Sequence, residues 1–258
     1  MHMKIDQLFE NDKKLLPQLF KEKLGYELDL DNPKTFNEKL QWLKLYMRKP
    51  EMVTMVDKYK VREYLIEKGC EQYLNDLIKV YHSSNEIVDE WDQLPPQFVV
   101  KVNHWSGGGI IVKDKNTFDK TKLTTLDHLL SQNYYDLHKN GEWPYKGIQP
   151  VIIVEKYLED SEGKLLDYKF FCFDGIPHYV QIDVDRFTNH TRCFYDLNWK
   201  KQEFTTAYPL FTGEIKKPEN FDEMIDLAKR LSEGYPHLRV DLYNIDAVSY
   251  THLTLPTI

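Results

Sequence analysis

The sequence predicts an α+β fold in which antiparallel hairpins are mixed with crossing helices. Three observations predict it. Asp174-Gly175 joins two apolar runs with the turn chemistry of a tight hairpin. Thr35 with Glu38, and Asn220 with Glu223, form capping boxes ahead of residues at helical spacing. The strand-like runs do not alternate regularly with helical ones, as a doubly wound parallel sheet would require.

The first thirty residues are mixed and helical in part, and end in the polar turn Asp29-Leu30-Asp31-Asn32-Pro33. Phe36, Leu40, Leu43 and Met47 then form one apolar stripe, which Pro50 stops. A second helix is expected from Asp57, a good N-cap, to Gly69, with Lys58, Lys60 and Arg62 in its first two turns. Cations are mildly unfavourable at a helix N-terminus, so this run points to an anionic partner, although a solvated face is the commoner explanation. Residues 77–81 read as a strand, 85–91 as a short helix and 123–135 as a helix. Residues 151–154 are a fully apolar strand, followed by strands at 168–173, 178–184 and 192–195. A helix at 220–231 stops at Gly234, and a last strand, 237–243, places Arg239 and Asp241 on one face.

At 258 residues the chain is long enough for an ample core, and 29% charged with 41% hydrophobic residues describes a soluble globular protein. The net charge of -7 argues against nucleic acid as a partner, which would demand a basic stripe. Aromatic residues at 14%, with 17 Tyr, point to a dense core or stacking surfaces. No apolar run approaches the roughly 20 residues of a membrane span. Met1-His2-Met3-Lys4 opens onto a polar stretch, so no transmembrane segment or secretory signal is expected, and the predicted location is cytoplasmic. Cys70, Cys172 and Cys193 have neither paired nor metal-ligand spacing, and Cys172 reads as an inert buried thiol.

Phe98-Val99-Val100-Lys101-Val102-Asn103-His104-Trp105-Ser106-Gly107-Gly108-Gly109-Ile110-Ile111-Val112-Lys113 reads as strand, flexible turn, strand. Glycines let backbone N–H groups approach an anion, and a concave row of such donors cradles phosphate. Lys101 adds a positive charge beside them. No Gly-Lys-Ser/Thr follows and no helix opens there, so this is not a P-loop, and G-x-G-x-x-G is absent. For the glycines alone, a plain hairpin turn explains the pattern equally well.

Lys58, Lys101, Glu155-Lys156-Tyr157-Leu158 at the end of the apolar strand, Asp167 with Lys169, and Arg239-Val240-Asp241 follow in order along the chain. Together they resemble an ATP-grasp nucleotide site, where two α+β subdomains hold ATP between antiparallel sheets. Longer motifs are more specific: Phe36-Asn37-Glu38-Lys39-Leu40-Gln41-Trp42-Leu43, Asp57-Lys58-Tyr59, Glu142-Trp143-Pro144-Tyr145, Asp167-Tyr168-Lys169-Phe170-Phe171-Cys172-Phe173 and Asp185-Arg186-Phe187-Thr188-Asn189-His190. These resemble the TupA-like ATP-grasp family over roughly residues 30 to 246. Its members are associated with teichuronopeptide, capsule and other surface-polysaccharide synthesis, and are often labelled glycosyltransferases. The resemblance implies an N-terminal helical segment, 1–50, and an ATP-grasp domain, 51–246.

It also implies roles. Lys58 and Lys101 would hold ATP phosphates, and Ser106, Gly107, Gly108 and Gly109 would fold over them as a lid. Glu155, Lys156, Tyr157 and Leu158 would form the adenine hinge, with Asp167 on the ribose and Lys169 beside it. Asp241 would carry Mg²⁺. Arg186, Arg192 and Arg239 would steady an acyl phosphate or an anionic substrate, either a small molecule or a glycan. The implied reaction is ATP-dependent ligation of a carboxylate to an amine, in association with other polysaccharide-synthesis enzymes.

Plainer readings stand beside these. Glu155 and Lys156 are ordinary strand-end charges, and Asp167 with Lys169 reads equally well as a cross-strand surface pair. Asp241 in an apolar strand is harder to dismiss, because an unpaired carboxylate there is costly. His104, His178 and His190 lack ligand spacing and read as structural. Asp183-Val184-Asp185 is a D-x-D that could hold a metal on a nucleotide sugar, which makes a glycosyltransferase the main rival; a catalytically inactive nucleotide-binding scaffold is the third reading. After Asp241 the family pattern continues to a strand carrying a second, glutamate metal ligand. Residues 247–258 instead contain no Asp, Glu or Asn and resemble translated sequencing-adapter DNA. They are expected to be a non-native tail, leaving an incomplete metal site, impaired catalysis and an unpaired edge at 238–243.

Overall fold

The computed structural model describes residues 5–159, 165–185, 189–245 and 248–251. Two antiparallel sheets organise it. The first contains β1 (Leu77–Tyr81), β2 (Phe98–Val102), β3 (Ile110–Val112) and β4 (Ile152–Lys156) in the order β1-β4-β2-β3. The second contains β5 (Asp167–Phe173), β6 (Ile176–Val184), β7 (Thr191–Asp196), β8 (His237–Ile245) and β9 (Val248–Thr251) in the order β7-β6-β5-β8-β9.

Each sheet buries one face, and period-2 alternation decides which residues take the other. In the first, Phe98, Val100, Val102, Ile152 and Val154 pack with Ile87 of α5 (Ser84–Asp89) and Leu126 of α6 (Thr124–Leu130). Val99 and Lys101 pair with Glu155 and Ile153 on the opposite face. In the second, Phe170, Cys172, Val180, Ile182, Val240 and Leu242 share a core with Phe221, Met224 and Leu231 of α8 (Phe221–Ser232). Asp167, Lys169, Gln181, Asp183, Arg192, Arg239 and Asp241 occupy the other face. The three cysteines are buried free thiols, and burial pushes Cys172 and Cys193 up to about 11.

Helices α1 (Ile5–Leu24), α2 (Phe36–Tyr46), α3 (Glu51–Val56) and α4 (Val61–Glu67) precede the sheets, and α2, α3 and α4 add Leu43, Met55 and Leu65 to the second core. The Thr35–Glu38 capping box forms as expected. Other boundaries differ. Pro50 is followed at once by α3, and the helix expected from Asp57 begins at Val61. Asp57 instead holds a turn, its Oδ1 accepting from the amides of Tyr59 (2.9 Å) and Lys60 (3.2 Å). The helix expected over 123–135 is divided into α6 and α7 (Tyr134–His138), because the Asn133 side chain caps a new start. Asn220 forms no capping bond and donates to Ser249 Oγ at 2.9 Å. β9 pairs with residues 242–245 of β8, so of the edge expected to be unpaired at 238–243 only Leu242 and Tyr243 gain a partner there among the described residues. No helix among the described residues is long and apolar enough to cross a membrane.

Asp12 ties α1 to the rest. Fully buried, it accepts from Arg48 Nη2 at 2.5 Å and from the Tyr135 hydroxyl at 2.7 Å. Asp12→Ala leaves the Arg48 guanidinium buried without its counter-charge, and should cost about 3–5 kcal/mol of stability. Urea denaturation measures this, and an unchanged midpoint would show that the pair does not hold α1.

Candidate functional site

Asn103, immediately after β2, fixes the first half of the site. It is buried, its Nδ2 donates to Asp57 Oδ1 and to the Gln149 carbonyl (both 2.9 Å), and its Oδ1 accepts from the Val151 amide at 2.8 Å. Its carbonyl takes the Lys58 amide at 3.0 Å. A fully satisfied buried amide of this kind fixes geometry, because any shift strands a polar group. Lys58 is thereby held beside β2, and its ammonium donates to the Trp105 carbonyl. Burial, reinforced by the charge of Lys101, lowers the Lys58 pKa to about 7.

Lys101 projects from the open face of the first sheet and pairs with Glu155 at 2.7 Å, both side chains being largely buried. The loop of Ser106 to Gly109 starts three residues after Asn103. Gly107 and Gly108 have φ of +78° and +70°, and a Cβ on Gly108 would fall 2.9 Å from Leu129 Cδ1. Ser106 to Gly109 are exposed. The root of the loop is fixed by His104, whose Nε2 lies 3.2 and 3.1 Å from the carbonyls of Leu129 and Gln132. His104 therefore positions the loop, in keeping with its reading as a structural residue.

In the hinge segment, the Lys156 amide donates to the Asp76 carbonyl and the Lys156 carbonyl accepts from Asn75 Nδ2, both at 3.0 Å. Its backbone is therefore committed to the chain leading into β1. Lys156 and Tyr157 line a cavity of about 550 Å³ with Pro95, Gln97 and Lys113. Leu158 follows Tyr157, whose hydroxyl donates to Glu159 at 2.8 Å.

The second half is the polar face of the second sheet. Lys169 pairs with Asp167 and, at 3.2 Å, with Asp183. Asp167 and Lys169 are 4% and 6% exposed, so they are not a surface pair. Asp183 also accepts from Arg192 Nε at 2.6 Å, His190 Nε2 at 3.1 Å and Gln181 Nε2 at 3.2 Å. Burial alone would raise its pKa, but the Arg192 hydrogen bond and the charges of Lys169 and Arg192 hold it well below the usual carboxylate range. Arg192 Nη1 donates to the carbonyl and hydroxyl of Thr206, and its guanidinium lies over Tyr208. Arg239 holds Asp241 with two bonds of 2.7 Å, and Asp241 is 1% exposed. Three cations (Lys169, Arg192, Arg239) thus meet three carboxylates (Asp167, Asp183, Asp241) on one face. Arg186 lies outside the described residues.

An aromatic wall connects the halves. Trp105 packs edge-on to Tyr134 at 5.3 Å, and Tyr134 meets Tyr145 at 4.5 Å. The charges of Arg239 and Asp241 act on the Tyr145 phenol, whose pKa is raised chiefly by burial. Tyr145 belongs to the Glu142-Trp143-Pro144-Tyr145 motif, which carried the resemblance without suggesting a role. Asp183, Gln181 and Tyr145 are the contributors that sequence reasoning missed or misassigned. The signal available for Asp183 and Gln181 was their period-2 phase with Lys169 and Asp167 across a hairpin. For magnesium, no three acidic, His or Cys side chains among the described residues are grouped so that they could hold a metal ion. The donor set is one carboxylate, Asp241, now held by Arg239. That suits an ion supplied with phosphate oxygens, which needs only one or two protein carboxylates, rather than an all-protein cage.

A family model described as TupA-like ATPgrasp matches residues 38–255. No curated protein matches significantly. Among solved structures, the chain is similar to D-alanine–D-alanine ligase from Bacillus anthracis, at 22% identity and a TM-score of 0.42, covering 79% of this chain and 56% of that one. It is similar to phosphoribosylamine–glycine ligase from Thermotoga maritima at 12% identity and a TM-score of 0.48, covering 86% and 57%. A RimK domain ATP-grasp protein from Sphaerobacter thermophilus gives 14% identity and a TM-score of 0.46, covering 93% and 84%. The chain thus spans little more than half the length of the two ligases.

The lowered Lys58 pKa has a consequence for stability. Between about pH 7 and its unfolded value near 10.4, the unfolded chain holds a proton on Lys58 that the folded chain has lost. The Lys58 contribution therefore opposes folding at low pH and is relieved as pH rises through that window. Stability of Lys58→Met relative to the parent should decline from pH 6.5 to 9.5. A difference independent of pH, in denaturation series on the two proteins, would refute the assignment.

Proposed function

The chain belongs to the TupA-like ATP-grasp family, and from that premise we propose that it is an ATP-dependent carboxylate–amine ligase of bacterial surface-polysaccharide and teichuronopeptide synthesis, working in the cytoplasm. The observation that supports it best is the aromatic wall Trp105–Tyr134–Tyr145. It joins a lysine-flanked glycine loop to a face of matched charges. A ligase of this type needs phosphate grips beside a polar platform that steadies charge on a carboxylate and on the phosphoryl group passed to it.

In this reading a carboxylate attacks the γ-phosphate, ADP leaves, and an amine displaces phosphate from the acyl phosphate to give an amide, phosphate and a proton. The protein contributes position and charge. Lys58 and Lys101 hold phosphate oxygens, and the amides of Ser106 to Gly109 close over them. Lys101 reaches phosphate by exchanging the Glu155 carboxylate for it, and Arg239 likewise turns from Asp241 toward the acyl oxygens. Magnesium, when bound, would neutralise phosphate oxygens, with Asp241 as its protein carboxylate. Partner exchange keeps each cation matched through the step.

The D-x-D reading is disfavoured. Asp183 accepts from three cationic or imidazole side chains and an amide, so a metal could bind only by displacing them. For the same reason Asp183→Ala damages the face under either chemistry, and ligand binding separates the two better. A thermal-shift panel with ATP, ADP and nucleotide sugars, each with and without Mg²⁺ or Mn²⁺, tests the proposal. Adenine nucleotides at a hundredfold over their dissociation constant should add about 2.7 kcal/mol, and Lys101→Ala should lose most of it. Stabilisation by a nucleotide sugar and none by ATP would establish the transferase instead. ATP binding without turnover of any carboxylate would leave an inactive scaffold.

Because phosphate favours the charged form of Lys58, ATP binding at pH 8 should also take up a proton. Calorimetry in buffers of differing ionisation enthalpy measures the uptake, which Lys58→Met should abolish.

A further inference from the structure

Beyond Arg239 the open face of the second sheet changes from charged to aromatic. His237, the next residue of β8 on that face, lies opposite Phe173 of β5, with the rings stacked at 4.8 Å. Phe36, the first residue of α2, meets His237 edge-on at 5.3 Å and Phe173 at 6.0 Å. With Pro33, Lys39 and Trp42 these rings line a cavity of about 200 Å³. Phe36 and Trp42 remain 42% and 39% exposed. The cavity is smaller than the roughly 300–1,000 Å³ typical of drug-sized ligands, and suits a single ring.

Its polar groups are few and specific. His237 donates Nδ1–H to the Cys172 carbonyl at 2.9 Å, and burial lowers its pKa. With Nδ1 as the donor, Nε2 is the acceptor of the neutral ring. Lys39, exposed on the rim, forms no ion pair among the described residues. Aromatic walls, one acceptor and one free cation at the rim complement a pyranose bearing a carboxylate. The walls take its C–H face, Nε2 accepts a hydroxyl, and Lys39 pairs with the acid.

We propose that this cavity is a subsite for one pyranose of an acidic glycan, the neighbouring unit of which presents its carboxylate at Arg239. The second clause rests on the ligase reading; the subsite itself does not. Alternate residues of an antiparallel strand are about 6.8 Å apart, so the cavity at His237 is one step from Arg239 and two from Asp241. A protein partner would need a patch of about 800 Å² a side, and the concavity is far smaller in scale.

The test is an NMR titration of the unliganded protein with a tetrasaccharide of galacturonic acid, which carries a carboxylate on every unit. The chain has five tryptophans, and Trp42→Phe assigns the indole N–H of Trp42. That resonance should shift saturably, and shift less with a neutral cello-oligosaccharide of equal length. Phe36→Ala should weaken binding about tenfold, with its melting midpoint confirming that it is folded. An unmoved Trp42 indole, or a shift unaltered in Phe36→Ala, overturns the proposal. A shift that follows protein concentration alone, with dimers in sedimentation, overturns it in favour of contact between copies. Saccharide binding without any ATP effect would retain the subsite and sink the ligase. ATP stabilisation with Trp42 unmoved would do the reverse.

Discussion

Charge removed from water has to be matched, and that requirement shapes the open faces of both sheets. A lone buried ion costs several kcal/mol, and its counter-ion recovers this only with good geometry and further hydrogen bonds. Lys101 meets this demand with Glu155, Lys169 with Asp167 and Asp183, and Arg239 with both oxygens of Asp241. Lys58 is the exception. It has only a carbonyl as hydrogen-bond acceptor, lies near a second lysine, and meets the demand by a pKa near neutrality. Such an arrangement is stable without ligand yet prepared for one. An incoming polyanion replaces carboxylates that are already in place, and Lys58, which forms no ion pair among the described residues, gains a counter-ion.

Rigidity near Lys58 follows from a single amide. Asn103 bonds the Asp57 turn, the Gln149 carbonyl and both backbone groups of Val151 at once, so the lysine, the end of β2 and the start of β4 move together. His104, the next residue, fixes the loop root to the end of α6. Beyond these two anchors the chain enters two exposed, left-handed glycines. A stiff base with a free tip is what a lid requires, because closure then changes a few dihedrals without disturbing the phosphate-binding lysines.

Much of this was legible in the sequence. The hairpin at Asp174-Gly175, the shared face of Arg239 and Asp241, and the strand–glycine–strand run all depend on local chemistry, and all are present. What was hidden depends on pairing between distant segments. Asp57 looked like a helix cap because its carboxylate does accept two amides, but its remaining bond to Asn103 diverts it into a turn. Asn220 had the spacing of a cap and was drawn away by Ser249, 29 residues on. Asp183 looked like half of a metal motif because its neighbour two residues on is acidic. Its actual partners come from β5, β7 and its own strand, which only the register reveals.

The same alternation that separates core from site also grades the site along its length. On β8 the open-face residues run Asp241, Arg239, His237, and their β5 partners run Lys169, Phe171, Phe173. Charge therefore gives way to aromatic surface within two steps of one strand pair, with no change of element. A substrate laid along those strands would meet a platform for an anion at one end and for an apolar ring at the other. The orientation of such a substrate is then set by the order of residues in two strands, and α2 completes the aromatic end through Phe36, whose place is fixed by the Thr35–Glu38 cap beside it. A capping box read first as a helix start thus also places a wall of the site.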